Sequence, residues 1–194
     1  GLGLATDQDE TRFTASASHR RTWINSLGAE WRNDVQLGYR QSFASEFYQP
    51  VSFTAGAFVA PSIDLEKEPI VYYLDGRRVG EYRFSHARAH LDLGVQNKFG
   101  EARYGSFAGT LDADDDFGFI SIVPEYDVNQ YGYSARLVFD QIDSPHFGRS
   151  GVLAALNTFG TVGDWGSDDA YNKTELFLMG AKSFDRHAVQ FAGY

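Results

Sequence analysis

Apolar and polar residues alternate one for one along most of this 194-residue chain. Over residues 11–24 the odd positions Phe13, Ala15, Ala17 and Trp23 oppose Arg12, Thr14, Ser16, Ser18 and Arg20. Over residues 29–40 Trp31, Val35, Leu37 and Tyr39 oppose Glu30, Arg32, Asp34, Gln36 and Arg40. A helix would mix these sets on every face, whereas a strand sends them to opposite faces. Asn25-Ser-Leu-Gly28 between the two segments supplies hairpin turn residues, Asn and Gly being the types that tolerate positive φ. The same period predicts a strand over 51–65, with Val51, Phe53, Ala55, Ala57, Val59 and Ile63 on one side and Phe58 and Ala60 as exceptions on the other. It returns at Ala87, Ala89, Leu91, Leu93 and Val95 against His86, Arg88, His90, Asp92 and Gln96, and at Tyr131, Tyr133, Ala135, Leu137 and Phe139 against Ser134, Arg136 and Asp140. Weaker strands follow over 170–181 and 187–194, giving about ten strands and the opening of another in an all-β chain.

The connections are expected to alternate in length. Residues 25–28, 97–100 and 183–186 read as short turns, and 66–78, 111–129 and 164–169 as long loops, the second of them acidic from Asp112 to Asp116. Short turns at one end and long loops at the other are how outer-membrane barrels are built. Composition narrows the field further. With 17 Lys and Arg against 26 Asp and Glu the formal charge is −9, and no basic stripe offers a track for nucleic acid. Mean hydropathy is only −0.35, and no apolar run approaches the roughly 18 residues of a membrane-spanning helix. The absence of Cys removes disulfides, thiolate metal sites and cysteine nucleophiles.

Alternation suits two architectures. In a soluble sandwich or lipocalin-like binding protein Trp31, Leu37 and Leu91 would turn inward; in a membrane barrel they would face lipid around a polar lumen. Charge along one face of several strands, and aromatics near strand ends (Trp23, Trp31, Tyr39, Phe53, Tyr131, Phe139), favour the barrel. The expected lumen-facing set is then Glu30, Arg32, Asp34, Arg40, His86, Arg88, His90, Asp92 and Arg136. The expected lipid-facing set is Trp31, Val35, Leu37, Tyr39, Leu91, Leu93, Leu137 and Phe139.

Particular stretches sharpen this expectation. Residues 23–39, Ser45-Glu-Phe-Tyr-Gln-Pro50, Phe58-Val-Ala-Pro61 and above all residues 137–151 resemble the bacterial surface-antigen superfamily of outer-membrane barrels. Within it they look most like the carboxy-terminal barrel of patatin-like phospholipases, the type Vd autotransporters. There a strand ends in Asp, a short turn follows, and a Phe-Pro-x-x-Gly-like element opens the next strand. Asp140, Asp143, Pro145, Phe147, Arg149 and Gly151 match that turn motif, with Gly148 where a Pro is usual. The resemblance implies an antiparallel transmembrane β-barrel in the bacterial outer membrane, of roughly sixteen strands. This chain would supply ten or eleven of them as one domain over residues 1–194, the last strands and an upstream periplasmic or passenger domain lying outside it. It also implies that residues 7–10 form an outer loop, that residues 25–28 and 143–151 are periplasmic turns, and that the partners are outer-membrane lipids, the chain's own passenger and a second copy in a homodimer. An assembly or two-partner-secretion barrel is the alternative within the superfamily.

Little chemistry is expected of the chain itself. A patatin-like hydrolase needs a Gly-x-Ser-x-Gly elbow; Gly148-Arg-Ser-Gly151 lacks the spacing and Gly105-Ser-Phe-Ala-Gly109 places Ser one position early. No catalytic residue, cofactor or metal is therefore assigned. His86 and His90 lie about 13 Å apart along a strand at roughly 3.3 Å per residue, too far to share an ion. Asp112, Asp114, Asp115 and Asp116 have oxygen ligands for Ca²⁺ but not the spacing of a known calcium loop.

Overall fold

The computed structural model describes residues 2–7, 10–52, 54–75, 77–118, 126–144, 149–185 and 187–193. Its strands are β1 (Leu2–Asp7), β2 (Glu10–Arg21), β3 (Glu30–Gly38), β4 (Gln41–Pro50), β5 (Ala57–Leu74), β6 (Arg77–Asn97), β7 (Gly100–Gly118), β8 (Tyr126–Asp140), β9 (Ser150–Thr161), β10 (Asn172–Phe184) and β11 (His187–Gly193). Every strand pairs antiparallel with its sequence neighbour, making one eleven-stranded meander. Among the described residues β1 and β11 each have a single partner, so the sheet has two open edges. Apart from a 3-10 turn at Gly163–Trp165, no other element packs on the sheet among the described residues. The fold is all-β.

Several expected boundaries move. Residues 51–56 are a turn rather than the start of a strand, closed by Val51 N–H on Ala57 O at 2.8 Å and by Gly56 at φ +63°. Phe53 lies outside the described residues. Residues 66–78, expected as a loop, are the upper halves of β5 and β6, because the Ile70-Val-Tyr-Tyr73 run has high strand propensity and Asp75, at φ +50°, precedes Gly76 in a dipeptide that favours tight hairpins. The acidic run from Asp112 to Asp116 is likewise strand, in β7, where pairing with β6, and at Asp112 and Ala113 with β8 as well, overrides the low strand propensity of Asp. Asp7 and Glu10, expected within an outer loop, face each other as the last β1–β2 pair. The length assigned to loops at one end is therefore taken up by strands.

In the turn before β3, Gly28 takes positive φ as expected, but Asn25 does not. Its side-chain oxygen instead accepts from Leu27 N–H at 3.0 Å and Ala29 N–H at 3.2 Å, and Trp23 adopts φ +55°. Residues 22–29, 51–56, 98–99, 141–149 and 185–186 all connect strands at the same end of the sheet, here called the turn end.

The register sorts the side chains into two faces. Asp34 lies opposite Ala44, Ala44 opposite Asp64, Asp64 opposite Arg88, and Arg88 opposite Gly109, tracing one face across β3 to β7. Val35, Phe43, Leu65, Ala87 and Thr110 trace the other. Burial follows the same division with inverted polarity. Trp31, Leu37 and Leu91 are 44, 55 and 52% exposed, whereas the polar face holds Phe58 at 2% and Gln130 at 0%. Phe58 and Ala60, the exceptions to the alternation, are on that buried face.

With no second layer, this burial comes from the sheet curling toward its polar side. Arg103 on β7 meets Glu46 on β4 at 2.6 Å although three strand spacings in a flat sheet amount to about 14 Å. Gly38, at φ +124°, holds the β2–β3 edge: a Cβ there would fall 2.0 Å from Phe13 O. Gly38→Ala is expected to destabilise the fold by about 1–3 kcal/mol, read from equilibrium unfolding against the parent protein, and an unchanged midpoint would refute this closure.

Candidate functional site: the polar face of the sheet

Alternation alone puts Glu30, Arg32, Asp34, His86, Arg88, His90, Asp92 and Arg136 on one face, and the register aligns them; Arg40, just past β3, joins them through Glu66 at 2.6 Å. Trp31, Val35, Leu37, Leu91, Leu93, Leu137 and Phe139 fall on the opposite face. Tyr39, beyond the end of β3, reaches across to donate its hydroxyl to Pro69 O at 3.2 Å.

Three clusters organise the polar face. In the first, His86 Nε2 lies 2.9 Å from Asp64 Oδ2 and His90 Nε2 lies 2.7 Å from Asp64 Oδ1. Asp64 stands directly opposite Arg88, so the two imidazoles are its diagonal neighbours and lean toward it from either side. The distance that argues against a shared ion is bridged by one carboxylate. No group of three or more His, Asp or Glu among the described residues is arranged to hold a metal.

The second cluster centres on Arg103. Its guanidinium contacts Glu46 at 2.6 Å, Glu101 at 3.2 Å and Asp92 at 3.4 Å, and lies 5.1 Å from the Phe58 ring centre. Asp92 is 7% exposed. Gly94, directly opposite Arg103, has no side chain to obstruct the crossing to β4. In the third, Arg88 Nη2 donates to Gln130 Oε1 at 2.9 Å and the guanidinium packs 5.0 Å from the Phe159 ring, which stacks on Phe107 at 4.4 Å. Arg88 Nε, Gln130 Nε2 and Asp92 Oδ1 are buried without a hydrogen-bond partner among the described residues.

Sequence reasoning placed Asp64 on the polar side of the 51–65 segment without giving it a role, and passed over Glu46, Glu66, Glu101, Arg103 and Gln130. Their signal was parity: Ser42, Ala44, Glu46 and Tyr48 alternate with Phe43, Ser45 and Phe47 over 41–50. Of the Asp run, Asp112 and Asp114 lie together on the apolar face, where β7 runs past the apolar residues; the side chains of Asp115 and Asp116 lie outside the described residues. Ser106, of the near-elbow Gly105-Ser-Phe-Ala-Gly109, sits mid-strand in β7 and not on a strand-to-helix turn.

At the turn end, Asp140 Oδ1 accepts from Ile142 N–H at 3.1 Å, and Asp143 Oδ1 from Arg149 N–H at 2.8 Å and Ser150 N–H at 3.2 Å. Gly151 takes φ +118°, and a Cβ on it would lie 2.0 Å from Gln141 O. Pro145 and Phe147 lie outside the described residues. The amide donors of Arg149 and Ser150 hold the Asp143 carboxyl below the usual carboxylate range.

No protein-family model matches the chain, and no curated protein matches it.

Two outcomes follow from this geometry. Arg103→Met leaves three carboxylates facing one another and is expected to cost about 2–3 kcal/mol, below the 3–5 kcal/mol of a fully buried pair. Part should return in the Arg103→Met/Glu46→Gln double variant, and equal unfolding midpoints for all three proteins would contradict the cluster. The Asp143 turn should be acid-sensitive with a defined sign. A carboxyl lowered in the folded state stabilises fully above its ordinary value near about 4. That stabilisation disappears as pH falls through the lower folded value. Amide exchange at Arg149 and Ser150, corrected for intrinsic rates, should therefore accelerate below that pH in the parent and be fast at all pH in Asp143→Ala.

Proposed function

We propose that this chain forms wall strands of an antiparallel β-barrel in a bacterial outer membrane, non-enzymatic in itself, that anchors or helps translocate an amino-terminal passenger. The supporting observation is the band of apolar side chains on the outward face and the way it ends. On β5 it runs from Ala57 to Leu65 and on β6 from Val95 to Ala87, and on β7 the matching span from Ala102 to Thr110 carries Ala102, Tyr104 and Ala108 with the small polar Ser106 and Thr110, nine residues on each strand. Nine residues span about 30 Å along a strand, or about 23 Å of height at a tilt near 40°, close to the apolar height of outer-membrane barrels.

The band ends along one row of directly opposed residues, Lys67, Ser85, Asp112 and Asp127. Past that row the polarity of β6 and β7 reverses. Their outward side carries Arg83, Glu81 and Asp114 and their inward side Tyr82, Phe84 and Ala113, beside Ile70 and Tyr72 of β5, whose outward side keeps Pro69, Val71 and Tyr73. A strand in water buries its apolar side, and a strand in lipid exposes it, so a reversal at one height on the neighbouring strands β6 and β7 supports a membrane boundary there. β5, β6 and β7, at 18, 21 and 19 residues, are long enough to cross the bilayer and continue beyond it.

The resemblance of residues 23–39 and 137–151 to the surface-antigen superfamily supports a passenger related to patatin-like phospholipases, whose hydrolase chemistry would lie outside these strands. On this reading the turn end is periplasmic.

The test is fractionation of the full-length protein in a Gram-negative host, followed by electrophoresis with and without heating. Recovery in the outer membrane with a compact unheated band is expected. Leu91→Arg, at mid-band, should destabilise the folded form by about 2–4 kcal/mol, and Ser85→Arg, on the boundary row, by about 0–1 kcal/mol. Equal small effects at the two positions, as for exposed sites in water, together with recovery in the soluble fraction, would overturn the reading.

A further inference from the structure

The inward wall holds several hollows, and one combines unengaged chemistry with room for a ligand. It occupies about 280 Å³ against β7 to β10 near the turn end. Its walls include Arg103, Arg136, Lys173 and Asn157 together with the carboxylates of Asp92 and Glu175. Gly105 stands directly opposite both Asp92 and Ser134, and a Cβ on it would meet Asp92 Oδ1 at 1.8 Å, so the backbone here is bare by necessity and the wall recedes.

The charges in this hollow are unevenly used. Arg103 is held by three carboxylates and Lys173 by Glu175 at 2.8 Å. Arg136 is exposed and makes no ion pair or side-chain hydrogen bond among the described residues, although it lies directly opposite Arg103. Like charges directly opposite on neighbouring strands repel, and the carboxylates that would offset Arg136 already face Arg103. Asn157, directly opposite Arg136, and Ser134, two residues along β8, also have unengaged side chains. A guanidinium matches a carboxylate in a two-pronged geometry. A free carboxamide beside it presents one donor and one acceptor, the complement of a peptide group.

Resting on the barrel reading above, we infer that this hollow is a binding site for an acidic side chain of an extended polypeptide lying in the interior, with Arg136 taking the carboxylate and Asn157 the adjoining peptide group. A free anion would engage Arg136 alone. A peptide carrying the same carboxylate gains the Asn157 contact as well. The ion pair faces a wet interior, so the attraction is salt-dependent.

The test uses the folded protein in detergent and a fluorescently labelled, Glu-rich hexapeptide, with Gln-rich and Lys-rich hexapeptides for comparison. Anisotropy should report binding of the Glu-rich peptide at least tenfold tighter than of the Gln-rich one, weakening as salt rises. Arg136→Gln should remove that tenfold preference, Arg136→Glu should shift it to the Lys-rich peptide, and Asn157→Ala should weaken binding several-fold while leaving the preference for acid intact. Free glutamate at the concentration of labelled peptide should not compete. Equal binding of the acidic and neutral peptides, an unchanged preference in Arg136→Gln, or full competition by free glutamate would each overturn the site. Heating-dependent migration of every variant is measured in parallel: a compact unheated band with no acid preference refutes the site alone, and the absence of that band in the parent protein refutes the barrel on which it rests.

Discussion

A sheet one layer thick has two faces and nothing to cover either, and the rest of this structure depends on how the chain meets that constraint. Eleven strands pair in sequence order, so each interior strand satisfies its backbone groups on both sides. Among the described residues no second layer stacks on the sheet to form a conventional core. Burial is gained instead by curling toward one face, and the face chosen is the one that carries the charges. That choice leaves Leu, Ile, Val and aromatic side chains exposed on the outward face, a cost in water that the barrel reading proposed above removes by placing that face against lipid.

Curling toward the charged side determines what those charges can do. Long side chains from strands two and three apart converge, as Arg88 does on Gln130 and Arg103 on Glu46. Small residues at the crossings are part of the same solution: Gly94 under Arg103 and Gly105 under Asp92 leave room that a side chain would fill. Networks of this kind contribute modestly to stability, because each ion loses hydration as it gains a partner. Their larger effect is on position. Glu46, Glu101 and Asp92 hold Arg103 in place, and none of them pairs with Arg136 on the neighbouring strand.

The two faces were legible in the sequence because parity survives errors in strand boundaries. Trp31, Leu37, Leu91 and Leu137 could be assigned to one side without knowing where any strand ended. Lengths were not legible. Residues 66–78 carry two acids, a lysine and a proline in their first four positions, which reads as a loop, and only the later Ile-Val-Tyr-Tyr run and the Asp75-Gly76 dipeptide mark the hairpin that forms. The acidic stretch of β7 reads as a loop for the same reason, since the interaction that makes it a strand comes from Ser85, Phe84 and Asp127 on other strands. Partnerships were hidden for a related cause. Asp64 meets His86 and His90 only because the β5–β6 register places it opposite Arg88; a shift of two residues would remove one imidazole from its reach.

Extension of β5, β6 and β7 past the apolar band gives the sheet a second environment within the same strands. Below the row of Lys67, Ser85, Asp112 and Asp127 the polar side faces inward; above it the Tyr72 and Tyr82 rings meet edge to face on that same inward side, 5.5 Å apart. Backbone pairing continues through the change, apart from register shifts at Tyr72/Tyr73 and Glu81/Tyr82 higher up. Side-chain pattern and hydrogen-bonded ladder are thus independent variables in this sheet. The ladder gives continuity and stiffness, and the pattern states, residue by residue, which solvent each segment is built for. On the barrel reading proposed above, the row at which β6 and β7 exchange their apolar and polar sides is where the wall passes from one solvent to another.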